Sequence, residues 1–320
     1  MNLAIRTESL GKRFGRTVAL DDVSLAVPEG AIFALVGRNG AGKTTLMKLL
    51  MNILRPSAGS AQVLEGDASR LAGKGFCNIG YVSENQELPG WMTVGALLDF
   101  CRPFYPNWDR ELAERLVTQF DLPLQRILRQ LSRGMRMKAA FVSALAYRPR
   151  LIVLDEPFSG LDPLVRDELI DSLLDLAGES TIFLSSHDLT EIESLASHVG
   201  YLEEGRLLFS EEMSALSARF REVTVLLPEA VAARHDGPAA WIDVEISDSA
   251  VRFVHTQYQD EAAEREVAEA FPEARGISFD PMPLRAIFLA VAKSQRSRSR
   301  LAQTNARTVT YEANLAHFLE

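Results

Sequence analysis

Apolar residues recur at close to a two-residue spacing early in the chain, at Val18, Leu20, Val23, Leu25 and Val27, before a turn at Pro28-Glu29-Gly30. That is the pattern of a strand with one buried face. The next run, Ala31 to Val36, is apolar throughout, as expected of a strand covered on both faces of a sheet. It leads through a glycine-rich loop to Leu46, Leu49, Leu50 and Ile53, which fall at helical spacing. Residues from about Thr93 to Tyr147 read as mainly helical, with Asp109 capping a helix through Phe120 and a further helix starting near Ser132. A strand at Leu151 to Leu154, a helix after Pro163, a strand at Thr181 to Leu184 and a helix from about Leu189 return to strand–helix alternation. The chain thus predicts an α/β core over 1–215 with a helical block inserted at about 93–149. Past Phe209 the pattern changes to short strands (Val223 to Leu227, Trp241 to Ile246, Val251 to Val254) and a helix from Asp260 to Phe271. This predicts a small α+β domain over 222–293. Residues 294–320 are rich in Ser, Arg, Thr and Ala, with arginines at 296, 298 and 300. They read as a mobile tail, with a weak contact to anionic lipid as the sharper alternative.

Composition narrows the function. With 320 residues and 47% hydrophobic content, the chain can bury a large core and a smaller one. A net charge of -9 opposes holding nucleic acid by overall charge, so no nucleic-acid partner is expected. Cys77 and Cys101 are the only cysteines; they are too few for a disulfide framework, which fits a reducing compartment, and they read as packing residues. Arg6 and Glu8 interrupt any apolar run at the N-terminus, so a secretory signal is not expected. No stretch reaches the ~20 apolar residues of a membrane span, so a membrane role has to come through a partner.

Gly37-Arg38-Asn39-Gly40-Ala41-Gly42-Lys43-Thr44 matches G-x-x-x-x-G-K-[ST], with a strand before it and a helix after. The glycines, with Asn39 and Ala41 between them, let backbone N–H groups turn onto a polyphosphate. Lys43 neutralises phosphate oxygens, the Thr44 hydroxyl can ligate Mg²⁺, and Thr45 follows on a helix whose N-terminus favours anions. Nucleotide binding follows, though not the choice among kinase, GTPase and ATPase.

That choice comes from four further elements. Leu151 to Leu154 end in Asp155-Glu156-Pro157; upstream stands Leu131-Ser132-Arg133-Gly134-Met135; downstream come Ser159-Gly160-Leu161-Asp162 and, after Ser185-Ser186, His187. In this order they resemble the Walker B strand, signature, D-loop and switch histidine of ABC ATPases. The resemblance covers about residues 3–215 and implies a P-loop ABC ATPase fold, with an antiparallel β subdomain and an inserted helical subdomain. It implies that Asp155 holds Mg²⁺ and that Glu156 is the general base for the attacking water, with His187 contacting the γ-phosphate. Two adjacent acids on one strand point to opposite faces, which is expected to separate their tasks. Phe14 matches the aromatic on which adenine stacks, or is a core residue. Ser132, Gly134 and Asp162 are implied contacts to ATP shared between two cassettes, so the chain is expected to form a homodimer or to pair with a related cassette.

The sequence departs from the family at three positions. Glu84 stands where the Q-loop glutamine belongs, as a candidate ligand of Mg²⁺, with Gln86 as the alternative. Arg133 and Met135 replace Gly and Gln of the signature, as in variants among export cassettes. Trp91 to Trp108, with Phe100, Phe104 and Tyr105, spans the region where the family receives a membrane subunit. Most of these aromatics read as core, leaving one or two as anchors. The C-terminal domain, closing on the segment Pro283 to Leu289, loosely resembles modules of exporter cassettes with a regulatory or dimer-stabilising role. The expected function is the ATP-hydrolysing subunit of an exporter, cytoplasmic and bound peripherally to the membrane through a separate permease. A translation or DNA-repair ABC ATPase is the alternative. It is disfavoured by the single phosphate loop and by the lack of room for long coiled coils between Lys43 and Ser132.

Overall fold

The computed structural model describes residues 2–228, 238–247 and 249–295. The chain divides into two compact units, one up to Met213 and one from Ser214 onward.

Two sheets build the first unit. β1 (Leu3–Phe14) and β2 (Thr17–Pro28) form a long hairpin that joins β4 (Ala58–Val63) and β5 (Gly66–Asp67) in an antiparallel sheet of order β2-β1-β4-β5. The second sheet contains β3 (Ile32–Val36), β6 (Ile79–Ser83), β7 (Leu151–Asp155), β8 (Thr181–Ser186), β9 (His198–Glu203) and β10 (Arg206–Glu212), in the order β10-β9-β3-β8-β7-β6. Only β10 runs antiparallel to its neighbour. β3, β7 and β8 are buried at every position, which is why β3 and the runs Leu151 to Leu154 and Ile182 to Leu184 are apolar without alternation. Helix α1 (Lys43–Leu50) sets Leu46, Leu49 and Leu50 into a core shared with Ile5 and Leu25 of the antiparallel sheet and Phe33 of the parallel one.

The inserted block contains α2 (Val94–Cys101), α3 (Arg110–Gln119) and α4 (Arg133–Leu145). Each begins on a side-chain oxygen that accepts a backbone N–H: Thr93 from Ala96, Asp109 from Leu112 and Ser132 from Met135. The chain then returns through α5 (Pro163–Leu174), which opens on Asp162 and Pro163. Helix α6 (Thr190–Glu193) is a single turn, shorter than the pattern from Leu189 predicts.

Other expectations also change. Helix α1 stops at Leu50 and the chain reverses at Asn52, whose φ is 53°; Ile53 is therefore exposed instead of continuing the apolar stripe. Of the aromatics expected in the core, Trp91, Phe100 and Phe104 are exposed. Tyr105 lies flat on Tyr147 at 3.7 Å. Cys77 and Cys101 are partly exposed, not core residues.

The second unit opens along α7 (Met213–Arg219) and holds β11 (Arg221–Leu226), β12 (Trp241–Ser247), β13 (Ala250–His255) and β14 (Gly276–Pro281) in an antiparallel sheet of order β12-β13-β11-β14. Helix α8 (Asp260–Ala270) contributes Val267 to a core of Val223, Val225, Trp241, Val251 and Phe253. β14, which ends on Pro281, is not among the strands expected from the sequence. An edge strand tolerates proline at its end, since one side has no ladder to complete. A last helix, α9, covers 284–295. Residues 294 and 295 of the expected tail thus belong to a helix, and the rest of it, with Arg296, Arg298 and Arg300, lies outside the described residues. No helix among the described residues is long and apolar enough to cross a membrane.

Candidate functional site

The parallel strands bring the separated motifs together at one edge. Val36 pairs with Ser186, while Ser83, Asp155 and Ser185 stand abreast on β6, β7 and β8. The residues just beyond these ends are Gly37, Glu84, Glu156 and His187, so the four loops leave the carboxyl edge of the sheet side by side, where open α/β sheets bind ligands. They surround a cleft of about 360 Å³ lined by Asn39, Gly40, Ala41, Gly42, Lys43, Thr44 and Thr45 of the phosphate loop, with Glu84, Glu156, Ser159 and His187 opposite.

Within the loop, Gly40 and Gly42 have φ of 84° and 111°, a region closed to most side chains. Gly42 also lies against the Ala19 carbonyl, where a Cβ would approach to 2.7 Å. Lys43 is buried; its Nζ donates to the Gly37 carbonyl at 2.5 Å and stands 3.0 Å from Glu156 Oε1. The other Glu156 oxygen is 2.7 Å from His187 Nδ1. Glu156 therefore links the phosphate lysine to the histidine.

Asp155 is held differently. Its Oδ1 accepts the hydroxyl hydrogens of Thr44 at 3.0 Å and Ser185 at 2.9 Å. Burial pushes its carboxyl above the ordinary carboxylate range, and these two hydroxyls pull in the other direction. Ser185 also accepts the backbone N–H of Glu156 at 2.9 Å, so one buried hydroxyl fixes both acids. Nothing in the sequence singles Ser185 out; only its place opposite Asp155 on β8 does.

The expectation that alternation along a strand separates the two acids is corrected here. β7 ends at Asp155, and Glu156 turns into the left-handed region with φ 51°. Both carboxylates consequently face the phosphate loop, Asp155 toward Thr44 and Glu156 toward Lys43.

The remaining candidates are dispersed. Phe14 is exposed at the end of β1, with Lys12 Nζ 5.0 Å from its ring centre, and stands apart from the cleft lining. Ser132 and Asp162 serve as helix caps, and Gly134 lies against Val165; none of the three lines this cleft. Glu84 lines it, but its Oε1 accepts from Arg133 at 2.8 Å and from the Ser159 hydroxyl at 2.9 Å. Gln86 turns back and accepts the Ser83 N–H.

Hard oxygen donors at Thr44 and Asp155 fit a small divalent cation such as Mg²⁺, which takes few protein ligands and completes its shell with phosphate and water. Glu84, the expected third ligand, lines the same cleft as Thr44, with its Oε1 taken up by Arg133 and Ser159.

Comparison with known proteins is consistent with this geometry. Residues 20–159 match the family described as ABC transporter. The ABC transporter ATP-binding protein YtrB of Bacillus subtilis is 31% identical over 221 residues, 68% of this chain and 75% of that protein. The bacitracin transport ATP-binding protein BcrA of Enterococcus faecalis is 31% identical over 228 residues, covering 70% and 74%. A solved structure of an ATP-binding subunit of an ABC transporter superposes with a TM-score of 0.62 at 26% identity, over 67% of this chain and 92% of that one.

Proposed function

This chain belongs to the ATP-binding subunits of ABC transporters, and on that premise we propose that it hydrolyses ATP to power a separately encoded membrane permease of an exporter. The observation that carries the reading is the convergence of Lys43, Thr44, Asp155, Glu156 and His187 on one cleft at the carboxyl edge of the parallel sheet. The outward direction rests on Arg133 and Met135, whose departures from the signature resemble those of export cassettes.

The chemistry follows from the contacts. A polyphosphate entering the loop meets inward backbone N–H groups, the α1 N-terminus and the Lys43 ammonium. Its terminal oxygens compete with Glu156 for Lys43, which frees a carboxylate beside the place where water must attack. Glu156 then orients that water and takes its proton, while His187, bonded to the other carboxylate oxygen, fixes the rotamer and reaches the phosphate side. Mg²⁺, held through Thr44 and Asp155, supplies charge neutralisation of the phosphates when bound. Phe14, exposed beside Lys12, offers a stacking face for adenine. Ser132 and Gly134, outside their own cleft at the start of α4, and Asp162 at the start of α5 are the surfaces offered to the nucleotide of a second cassette. Two copies, or this chain and a related one, thus enclose ATP between them. The permease places the assembly at the cytoplasmic face of the membrane, and the exposed Trp91, Phe100 and Phe104 suit its docking. The second unit contributes regulation or dimer stability.

Paired variants test the reading. Lys43→Ala should weaken ATP binding by about a hundredfold, through loss of charge-assisted bonds to phosphate. Glu156→Gln should keep ATP, lose about 10² to 10⁴ in hydrolysis and elute as a dimer in ATP and Mg²⁺. Wild-type affinity in the first variant, or wild-type turnover in the second, removes the corresponding role.

A further inference from the structure

We propose that Arg133 is a positioning residue of its own chain's nucleotide site. It neutralises Glu84, so that a carboxylate can stand in the phosphate cleft, and it ties that cleft to the first turn of α4. The proposal rests on the reading of the cleft as an ATP site.

The geometry is specific. Arg133 Nη2 donates to Glu84 Oε1 at 2.8 Å, and the Ser159 hydroxyl donates to the same oxygen at 2.9 Å. The guanidinium reaches Glu84 across Gly160: a Cβ on that residue would sit 2.8 Å from Nη1 and 3.2 Å from Cζ. Gly160 has φ 65°, so glycine there both suits the turn and leaves room for the arginine. Three segments far apart in the chain, ending β6, starting α4 and following β7, therefore meet on one carboxylate oxygen.

Charge gives the contact its meaning. Lys43 and Arg38 are the cations of the cleft lining, and Glu84, Glu156 and the adjoining Asp155 are the carboxylates. Two positive charges against three negative would repel a polyanionic nucleotide. The guanidinium of Arg133 removes the excess. The pairing also answers a local problem in α4, because Arg133 is its first residue and a cation at a helix N-terminus opposes the macrodipole. Glu84 supplies, from another segment, the negative charge that this terminus favours. The pair is partly solvated, with Arg133 45% and Glu84 31% exposed, so it contributes little to stability as a surface ion pair. Its effect belongs to the field felt by phosphates in the cleft that Glu84 lines.

A binding cycle tests this, using the full-length chain and a fluorescent ATP analogue in EDTA, so that metal binding does not enter. Arg133→Ala should weaken binding about fivefold by uncovering the Glu84 charge, and Glu84→Gln should strengthen it about threefold by leaving the arginine unpaired. The double variant should return to within about twofold of wild type, a reversal that loss of a structural contact does not produce. Arg133→Lys should restore most of the loss. Gly160→Ala, which displaces the guanidinium, should reproduce the Arg133→Ala defect and be relieved by Glu84→Gln. The differences should shrink toward ~0.5 M salt as the Debye length falls. A double variant as weak as Arg133→Ala, or wild-type affinity in Arg133→Ala, overturns the proposal. Lys43→Ala run in parallel keeps the two readings apart. Loss of binding there with an unaltered Arg133→Ala refutes only the present inference, whereas wild-type binding in Lys43→Ala refutes the ATP site itself.

Discussion

Replacing Ser185 by Ala removes one hydroxyl and should disturb both acids of the site. That hydroxyl donates to Asp155 Oδ1 and accepts from the Glu156 N–H, each at 2.9 Å. Ser185 is fully buried and Asp155 nearly so, so water cannot readily substitute. A buried bond to a charged group contributes about 1.5–3 kcal/mol and a neutral one about 1. The combined cost near pH 7 should be about 3 kcal/mol. The pH dependence gives the sharper signature. Burial raises the Asp155 carboxyl above its unfolded value of 3.8, and the Ser185 hydroxyl is the first of the bonds opposing that rise. A carboxyl with a raised folded pKa binds more protons folded than unfolded, so its burial penalty is absent below 3.8 and grows as pH climbs through the folded pKa. Removing Ser185 raises the folded pKa further and enlarges the penalty on the alkaline side. Urea unfolding should therefore show a lower midpoint at an unchanged slope, with a larger loss at pH 7 than at pH 3.5. A loss below about 0.5 kcal/mol at pH 7, or an equal loss at both pH values, would refute the assigned bonds.

Two further outcomes follow from other contacts. Glu191 is buried on α6 and accepts from the Ser186 hydroxyl; burial raises its carboxyl above 4.5. Glu191→Gln should gain stability relative to wild type as pH rises from 4 to 7, because only the wild type pays to ionise there. Urea midpoints at the two pH values check it, and a gain confined to pH 4 contradicts it. A chain ending at Met213, where the first compact unit ends, should fold and bind the same ATP analogue within about threefold of the full chain, since a compact unit with its own core can stand alone. A folded truncation that fails to bind would make the second unit part of the nucleotide site.

Much of the core was legible in the sequence because its signals are local. The apolar run into Gly37 to Thr44 specifies strand, turn and helix by backbone requirements alone, and the caps at Asp109 and Ser132 announce their helices in the same way. Periodicity was less informative where surface and interior compete. Trp91, Phe100 and Phe104 look like core residues by type but stand exposed: Phe100 is on the outer face of α2, a helix short enough to bury a single face, and Trp91 and Phe104 lie in the turns before and after it. Ile53 fits the α1 stripe by number, yet follows a left-handed turn that removes it.

The sequence by itself determined which chemistry is available: a phosphate loop, a magnesium-type threonine and aspartate, a base and a histidine, each marked by a short contiguous motif. Tertiary structure decided which of these groups meet. Asp155 faces Ser185 and Ser83 only through the register of β6, β7 and β8, and Glu84 meets Arg133 only because that register carries the end of β6 to the start of α4. Glu156 turns toward Lys43 because the chain leaves the strand in a left-handed conformation. Local sequence restricts each residue's own backbone, whereas contacts between distant segments depend on how buried strands align. A one-residue slip would reverse every side chain on β7, and would put Leu154 or Glu156 where Asp155 meets Thr44.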